Sequence, residues 1–158
     1  MGRMTALLVM AILATTLSAK TIRHYDSSGR STGRTEIDSN GNARYYDSNG
    51  RSIGRSSYTD SSGTTRYYDE NGRSAGTSHT DSHGNTRYYD GNGRSKGRAT
   101  TDSSGTTRYY DSNGRSAGQS TTDRGGTTRY YDGHGRSAGQ SSNGSRSPAA
   151  EGWRFINK

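Results

Sequence analysis

The chain has no cysteine, a single proline and few aliphatic side chains; apolar residues fill 24% of its 158 positions. The lack of cysteine excludes disulfides, thiol catalysis and a lipid-modified cysteine behind a leader. That is unusual for a small exported protein, which commonly uses disulfides to compensate for a thin core. The apolar share is about half that of an ordinary soluble domain, too little for an ordinary core. Low hydrophobicity with a net charge of +8 points toward disorder. Against disorder stands the regular placement of the tyrosines, of which only Tyr58 is out of phase. Acid–base chemistry is also poorly supplied. Glu36, Glu70 and Glu151 are isolated, and His24, His79, His83 and His134 occupy unrelated positions, which suits solvent-exposed substitutions better than catalysis. No catalytic residues, no metal site, no cofactor and no small-molecule substrate are expected.

The first nineteen residues differ from all that follow. Arg3 precedes an almost wholly apolar run from Met4 to Leu17, then Ser18 and Ala19. This pattern is that of a secretory signal peptide cut after Ala19, although Leu17 is large for its place before the cut. The run is shorter than the roughly 20 residues that span a bilayer, so the mature chain is expected to be secreted or periplasmic, without a transmembrane segment.

What is abundant is repetition. Arg23, Arg44, Arg66, Arg87, Arg108 and Arg129 each precede an aromatic pair, at steps of 21 residues with one step of 22. Such a period signals a repeat architecture. Eleven Asp-x-x-Gly units run from Asp26 to Asp132. The aspartate accepts a backbone hydrogen bond and the glycine takes the positive φ that closes a turn with a bulge. Two turns per repeat imply two strands: a short one such as Thr64 to Tyr68, rich in good strand formers, and a longer one such as Arg73 to Thr80. Alternation puts Tyr67 on one face and Tyr68 on the other, with a tyrosine able to lie over the glycines of the flanking strand. Asp47 and Arg51, Asp69 and Arg73, and Asp111 and Arg115 are expected to pair across turns, at up to about 1 kcal/mol each. The extra residue of the long repeat falls within Arg55 to Thr59, where a bulge or loop absorbs it. The expected organisation is a signal peptide over 1–19, six β-repeats over 20–140, a flexible linker over 141–148 and a tail over 149–158. In the tail, Trp153, Phe155 and Ile156 form a cap or a docking peptide.

The run Asp60-Ser-Ser-Gly-Thr-Thr-Arg-Tyr-Tyr-Asp-Glu-Asn-Gly-Arg resembles the YD repeat, also called the RHS repeat, whose pattern is close to D-x-x-G-x-T-x-R-Y-x-Y-D-x-x-G-R-L. The resemblance covers roughly Arg23 to Gly139. It implies an all-β ribbon of tandem antiparallel hairpins; long members of the family form shells around toxin cargo or stand on cell surfaces, with carbohydrate binding proposed for some. Two departures remove apolar area: the tyrosines are adjacent, as in Tyr88-Tyr89, and serine follows Gly-Arg, as at Ser95 and Ser116. Only the local repeat structure is therefore carried over. A two-sided β-solenoid or a disordered chain are the alternatives.

Function is expected in the rows and not in any one copy. Asp47-Ser48-Asn49-Gly50 has the beginnings of a calcium loop, but no further acidic ligand follows and Arg51 sits where one is wanted. Arg44, Arg66, Arg87, Arg108 and Arg129 align in one row and Arg51, Arg73, Arg94, Arg115 and Arg136 in another; Arg30, Arg34, Arg55 and Arg98 lack an obvious acidic partner. Guanidinium binds phosphate, sulfate and carboxylate with two hydrogen bonds, and tyrosine can stack on sugars or bases. The expected site comprises Arg44, Arg66, Arg87, Arg108, Arg129, Arg55 and Arg98 with Tyr67, Tyr88, Tyr109 and Tyr130. Its expected partner is an anionic polysaccharide or envelope polymer. The competing expectation is a structural protein that self-associates through unpaired strand edges.

Overall fold

The computed structural model describes residues 19–57 and 59–142. The leader up to residue 18, Tyr58, most of the expected linker and the tail with Trp153, Phe155 and Ile156 lie outside the described residues. Twelve strands follow in order: β1 (Lys20–Tyr25), β2 (Ser31–Ile37), β3 (Ala43–Asp47), β4 (Ser52–Ser56), β5 (Thr64–Tyr68), β6 (Ser74–Thr80), β7 (Thr86–Asp90), β8 (Ser95–Thr101), β9 (Thr106–Asp111), β10 (Ser116–Thr122), β11 (Thr128–Tyr131) and β12 (Ser137–Ser142). The last strand runs two residues into the stretch expected to be linker. Among the described residues no helix is long and apolar enough to cross a membrane.

Each strand pairs antiparallel with the next, and β1 pairs with β12 through Arg23↔Ser142, His24↔Ser141 and Tyr25↔Gln140. The ribbon of hairpins is therefore not open but closed into a twelve-stranded barrel. Antiparallel pairing of consecutive strands also replaces the solenoid alternative, in which equivalent tyrosines would stack directly on one another, and the disordered alternative.

The turns follow from the Asp-x-x-Gly units. In each, the glycine takes a φ near +80°, as at Gly50 and Gly63, and its N–H donates to the aspartate carbonyl, 3.1 Å at Gly50. The aspartate side chain accepts two more backbone N–H groups, from Asn49 and Arg51 onto Asp47 at 2.9 Å each. A short polar loop is thereby satisfied internally and needs no core beneath it.

Closure is favoured by a bulge in every short-to-long hairpin. Between Tyr67 and Tyr68 the register slips, so that Tyr67 faces Gly76 while Tyr68 faces Ser74. The same slip recurs at Tyr45/Tyr46, Tyr88/Tyr89 and Tyr130/Tyr131. Bulges increase local twist and bend a strand, and six placed at one level curl the sheet. The glycine at this level is required: Gly54 has φ +147°, and a Cβ there would stand 2.7 Å from the Tyr68 carbonyl oxygen.

Tyrosines and small residues share the interior. Tyr67, Tyr88 and Tyr109 are fully buried, each opposite a glycine of the adjoining long strand. The Tyr67, Tyr109 and Tyr130 hydroxyls meet Ser78, Ser120 and Ser141 at 3.0–3.1 Å. Beneath them lie buried Thr65, Thr86, Thr107 and Thr128. His24 is not the exposed substitution expected of it: it takes the tyrosine place in the first repeat, is buried, and its Nε2 lies 2.8 Å from the Thr35 hydroxyl. The extra residue of the long repeat is absorbed between β4 and β5, whose ladder holds only Arg55↔Tyr68 and Ser56↔Tyr67. Ser57 leaves the strand there but keeps Arg66, donating its N–H to the Arg66 carbonyl at 2.8 Å and accepting the Arg66 N–H on its hydroxyl at 3.0 Å.

Truncating the inner ring should therefore cost far more than truncating its sequence neighbour. Tyr67→Ala is expected to lower unfolding free energy by about 3–5 kcal/mol, and Tyr68→Ala by about 1 kcal/mol or less. Denaturant titration followed by circular dichroism measures both, and equal losses would contradict the inward assignment.

Candidate anion-binding wall

Alternation that sends the first tyrosine of each pair inward sends the arginine before it and the tyrosine after it outward. The expected row of Arg44, Arg66, Arg87, Arg108 and Arg129 thus becomes an exposed ring around the barrel. Tyr67, Tyr88 and Tyr109 do not join it, because they are enclosed; Tyr130 is half-buried, with its hydroxyl on Ser141. The rings that share the outer face with the arginines are Tyr46, Tyr68, Tyr89, Tyr110 and Tyr131.

Registers place one further outward residue between each ring arginine and the outer tyrosine of the next short strand. Three rows read arginine, arginine, tyrosine: Arg23–Arg34–Tyr46, Arg44–Arg55–Tyr68 and Arg87–Arg98–Tyr110. Three read arginine, neutral, tyrosine: Arg66–Thr77–Tyr89, Arg108–Gln119–Tyr131 and Arg129–Gln140–Tyr25. In the first set the middle guanidinium lies over the tyrosine ring, at 4.2 Å for Arg34 and 4.8 Å for Arg55 and Arg98. The ring holds one face of the cation and leaves its N–H edge available.

The two sets differ in neutralisation as well. Arg66, Arg108 and Arg129 form ion pairs with Asp60, Asp102 and Asp123 at 3.3, 2.8 and 3.2 Å. Arg44 and Arg87 have no such partner among the described residues, although Asp38 and Asp81 stand at the equivalent places. The residue four beyond the aspartate explains this. Where it is Thr64, Thr106 or Thr127, the outer carboxylate oxygen is left for the arginine. Where it is Asn42 or Asn85, the side-chain amide donates to that oxygen, at 3.0 and 3.1 Å. Arg34 is intermediate, since its Nε donates to Glu36 at 2.7 Å.

Pairing of Asp47 with Arg51, Asp69 with Arg73 and Asp111 with Arg115 runs through the backbone: each carboxylate accepts the arginine's main-chain N–H at 2.8–2.9 Å. Only at Asp132 and Arg136 does the side chain join, at 2.8 Å. The second arginine row, Arg51 to Arg136, therefore crowns one end of the barrel among aspartates of equal number. The unbalanced positive charge belongs to the wall. His79 lies on that wall, opposite Arg87, and His83 and His134 lie in exposed turns. Among the described residues no three His, Asp or Glu side chains gather as a metal would need.

Several of the turn carboxylates, Asp60, Asp102, Asp38 and Asp81 among them, are held as anions. A hydroxyl bond from Ser62 and the Thr64 N–H bring Asp60 down to about 2, from an ordinary 3.8. Ser104, the Thr106 N–H and Arg108 do the same for Asp102, also to about 2. Asp38 is lowered chiefly by the Asn42 amide and Asp81 by the Asn85 backbone and side chain.

No protein-family model matches the chain, and no curated protein matches its sequence. Among solved structures it is similar to an Arabidopsis thaliana protein determined by X-ray crystallography, at 9% identity, with 86% of each chain covered and a TM-score of 0.52. It also aligns with BamB from Moraxella catarrhalis at 9% identity, over 75% of this chain and 57% of that one, with a TM-score of 0.32. The first likeness supports the all-β fold alone.

Because these carboxylates titrate lower when folded, their stabilisation is complete above about 3.8 and is lost as pH falls toward about 2. Melting temperature should be nearly level from about pH 7 to 5 and fall below about pH 4. A scan in which most of the loss occurs above pH 5 would contradict the turn geometry.

Proposed function

We propose that this is a secreted or periplasmic, non-enzymatic binding protein for anionic glycans or envelope polymers, built from YD-like repeats. One observation carries the reading: three outward arginine pairs, each directly cross-strand and each backed by a tyrosine. Like charges placed opposite one another on a sheet are destabilising; the Asn42 and Asn85 amides take the carboxylate oxygens that elsewhere form ion pairs with the ring arginine, which leaves Arg44 with Glu36 across the ladder but no ion pair to a turn aspartate. A polymer carrying phosphate, sulfate or carboxylate groups relieves such pairs instead, bridging guanidinium edges that the tyrosines hold in place. Binding then comes from several modest contacts along the polymer. The competing idea of edge-to-edge assembly loses its driving feature, since closure leaves no open sheet edge among the described strands.

Asparagine exchange tests this without altering net charge. Asn42→Thr with Asn85→Thr frees Asp38 and Asp81 to take Arg44 and Arg87. Binding to heparin as the probe polymer should weaken, and the slope of log affinity against log salt should fall by about 1 for each pair restored. Thr106→Asn should release Arg108 and act in the opposite sense. Unchanged affinity in all three positions, or no heparin binding at low salt, would refute the reading.

A further inference from the structure

Each outward tyrosine is followed by a turn, from Tyr25 with Asp26–Gly29 to Tyr131 with Asp132–Gly135. What fills the space between that turn and the preceding hairpin depends on the middle residue of the row. Where it is arginine, the side chain runs over the tyrosine toward the turn. Guanidinium nitrogens of Arg34 and Arg55 stand 3.8 Å from where a Cβ would sit at Gly50 and Gly72, and Arg98 lies 4.8 Å from the Tyr110 ring. Where it is Thr77 or Gln119, the turn closes the space itself. The second residue of the turn is then Gly91 or Gly133, so near the preceding long strand that a Cβ would meet the Ser74 or Ser116 carbonyl oxygen at 2.7 Å.

The sixth row does neither. Gln140 stands in the middle, opposite Tyr25, and the second residue of the next turn is Ser27. Serine has the Cβ that Gly91 and Gly133 lack, so this turn stands off from Ser137 where they close on Ser74 and Ser116. Gln140 is too short to fill the gap as Arg55 does. A cavity of about 240 Å³ results between β12 and the turn after β1, below the roughly 300 Å³ of whole-ligand pockets and suited to one side-chain-sized group. The turn contributes Asp26, Ser27 and Gly29, and the β11–β12 hairpin contributes Tyr131, Ser137 and Gln140. Around Gly29 there is open space where Gly50 and Gly72 have a guanidinium nitrogen.

The cavity has the chemistry of a cation acceptor. Asp26 accepts the Ser28 and Arg30 N–H groups on Oδ1, at 2.8 and 2.9 Å, which leaves the second carboxylate oxygen to accept from a ligand. The Gln140 carboxamide and the Ser27 and Ser137 hydroxyls add neutral acceptors. Arg129 also lines the cavity, but its Nη1 is held by Asp123 at 3.2 Å. In the arginine-filled rows Arg44 and Arg87 stand at the same register place, beside Arg55 and Arg98. A guanidinium next to a ring arginine is therefore an arrangement this fold already accommodates.

We propose that this cavity binds a guanidinium group supplied from outside the chain, on an arginine side chain of a second copy or of another protein. The group takes the place that Arg34 and Arg55 fill in their own rows, and its N–H edges donate to Asp26 and to the Gln140 carbonyl oxygen. Its charge is opposite to that of the polymer assigned to the wall, so the two sites stand or fall separately.

The test is NMR titration of the full chain at low salt with N-acetylarginine methylamide. The Ser27, Gly29 and Gln140 amides should shift with a millimolar dissociation constant, as one small group gives. The lysine analogue, which lacks the planar fork, should bind more weakly by about threefold or more. Gln140→Arg supplies the group from within the chain and should abolish the shifts, and Ser27→Gly lets the turn close and should weaken them. Asp26→Asn keeps the acceptor that the turn needs and should weaken binding by about tenfold. Gln119→Arg, in a row closed by Gly133, should leave it within about twofold. No shifts in the wild-type chain, undiminished binding in Gln140→Arg, or equal binding of the two analogues would overturn the site. Sedimentation of the same proteins distinguishes the sources. A concentration-dependent dimer that Gln140→Arg dissociates puts the arginine on a second copy, and a monomer that binds the analogue puts it on another protein; either result supports the site.

Discussion

The structure depends on one contact repeated around the barrel: an inward ring, tyrosine in five repeats and His24 in the first, facing a glycine across each short-to-long hairpin, as Tyr67 faces Gly76. A chain this poor in aliphatic residues relies mainly on aromatic rings to exclude water, and each inward ring has a glycine facing it on one side and a small residue on the other, as Tyr67 has Gly76 and Ser56. The glycine does a second thing. Its positive φ makes the bulge that turns the sheet, so the residue that makes room for the ring also curves the wall around it. Serines such as Ser78 then share a hydrogen bond with the phenol, which lets a polar-tipped ring be buried without an orphaned hydroxyl.

Function is tied to the same phase. Once the first tyrosine of each pair is inside, the preceding arginine and the following tyrosine are committed to the outside at every repeat, and the barrel becomes a scaffold for a charged wall. Whether a given arginine is neutralised is then decided locally, by threonine or asparagine at the end of the preceding turn. Asp60 and Asp81 occupy the same place in their repeats, yet one holds Arg66 and the other is taken up by Asn85. Two of the three rows with arginine in the middle position, those of Arg44 and Arg87, are also ones whose ring arginine has no turn aspartate partner among the described residues, so there the two variations reinforce one another.

Much of the local structure was legible from the residues. Every Asp-x-x-Gly unit marks a turn because its hydrogen bonds are satisfied within a few residues, and the opposite orientation of Tyr67 and Tyr68 follows from strand alternation alone. Closure was not legible, since it rests on β1 meeting β12 across the length of the repeat region and on bulges whose curvature accumulates. Nor was the choice of which tyrosine goes in: both faces of a short strand carry one, and only the enclosing geometry separates them. This is why Tyr67, Tyr88 and Tyr109 appeared as candidate ligands while Tyr68 and Tyr110 did not. The carboxylate partners of Arg66, Arg108 and Arg129 were missed for a related reason. Asp69 and Arg73 look adjacent in sequence, but a turn aspartate points one oxygen at its own backbone, and where an ion pair forms, the other oxygen meets the arginine six residues on in the strand that leaves the same turn, as Asp60 meets Arg66.

The most direct test of the structure is the seam between its first and last strands, measured by NMR cross-strand contacts and amide exchange in the full chain. Contacts joining Arg23, His24 and Tyr25 to Ser142, Ser141 and Gln140, with protected amides in both strands, are expected. Contacts confined to consecutive strands, with fast exchange along the outer edges of β1 and β12, would mean an open ribbon and contradict the closed barrel.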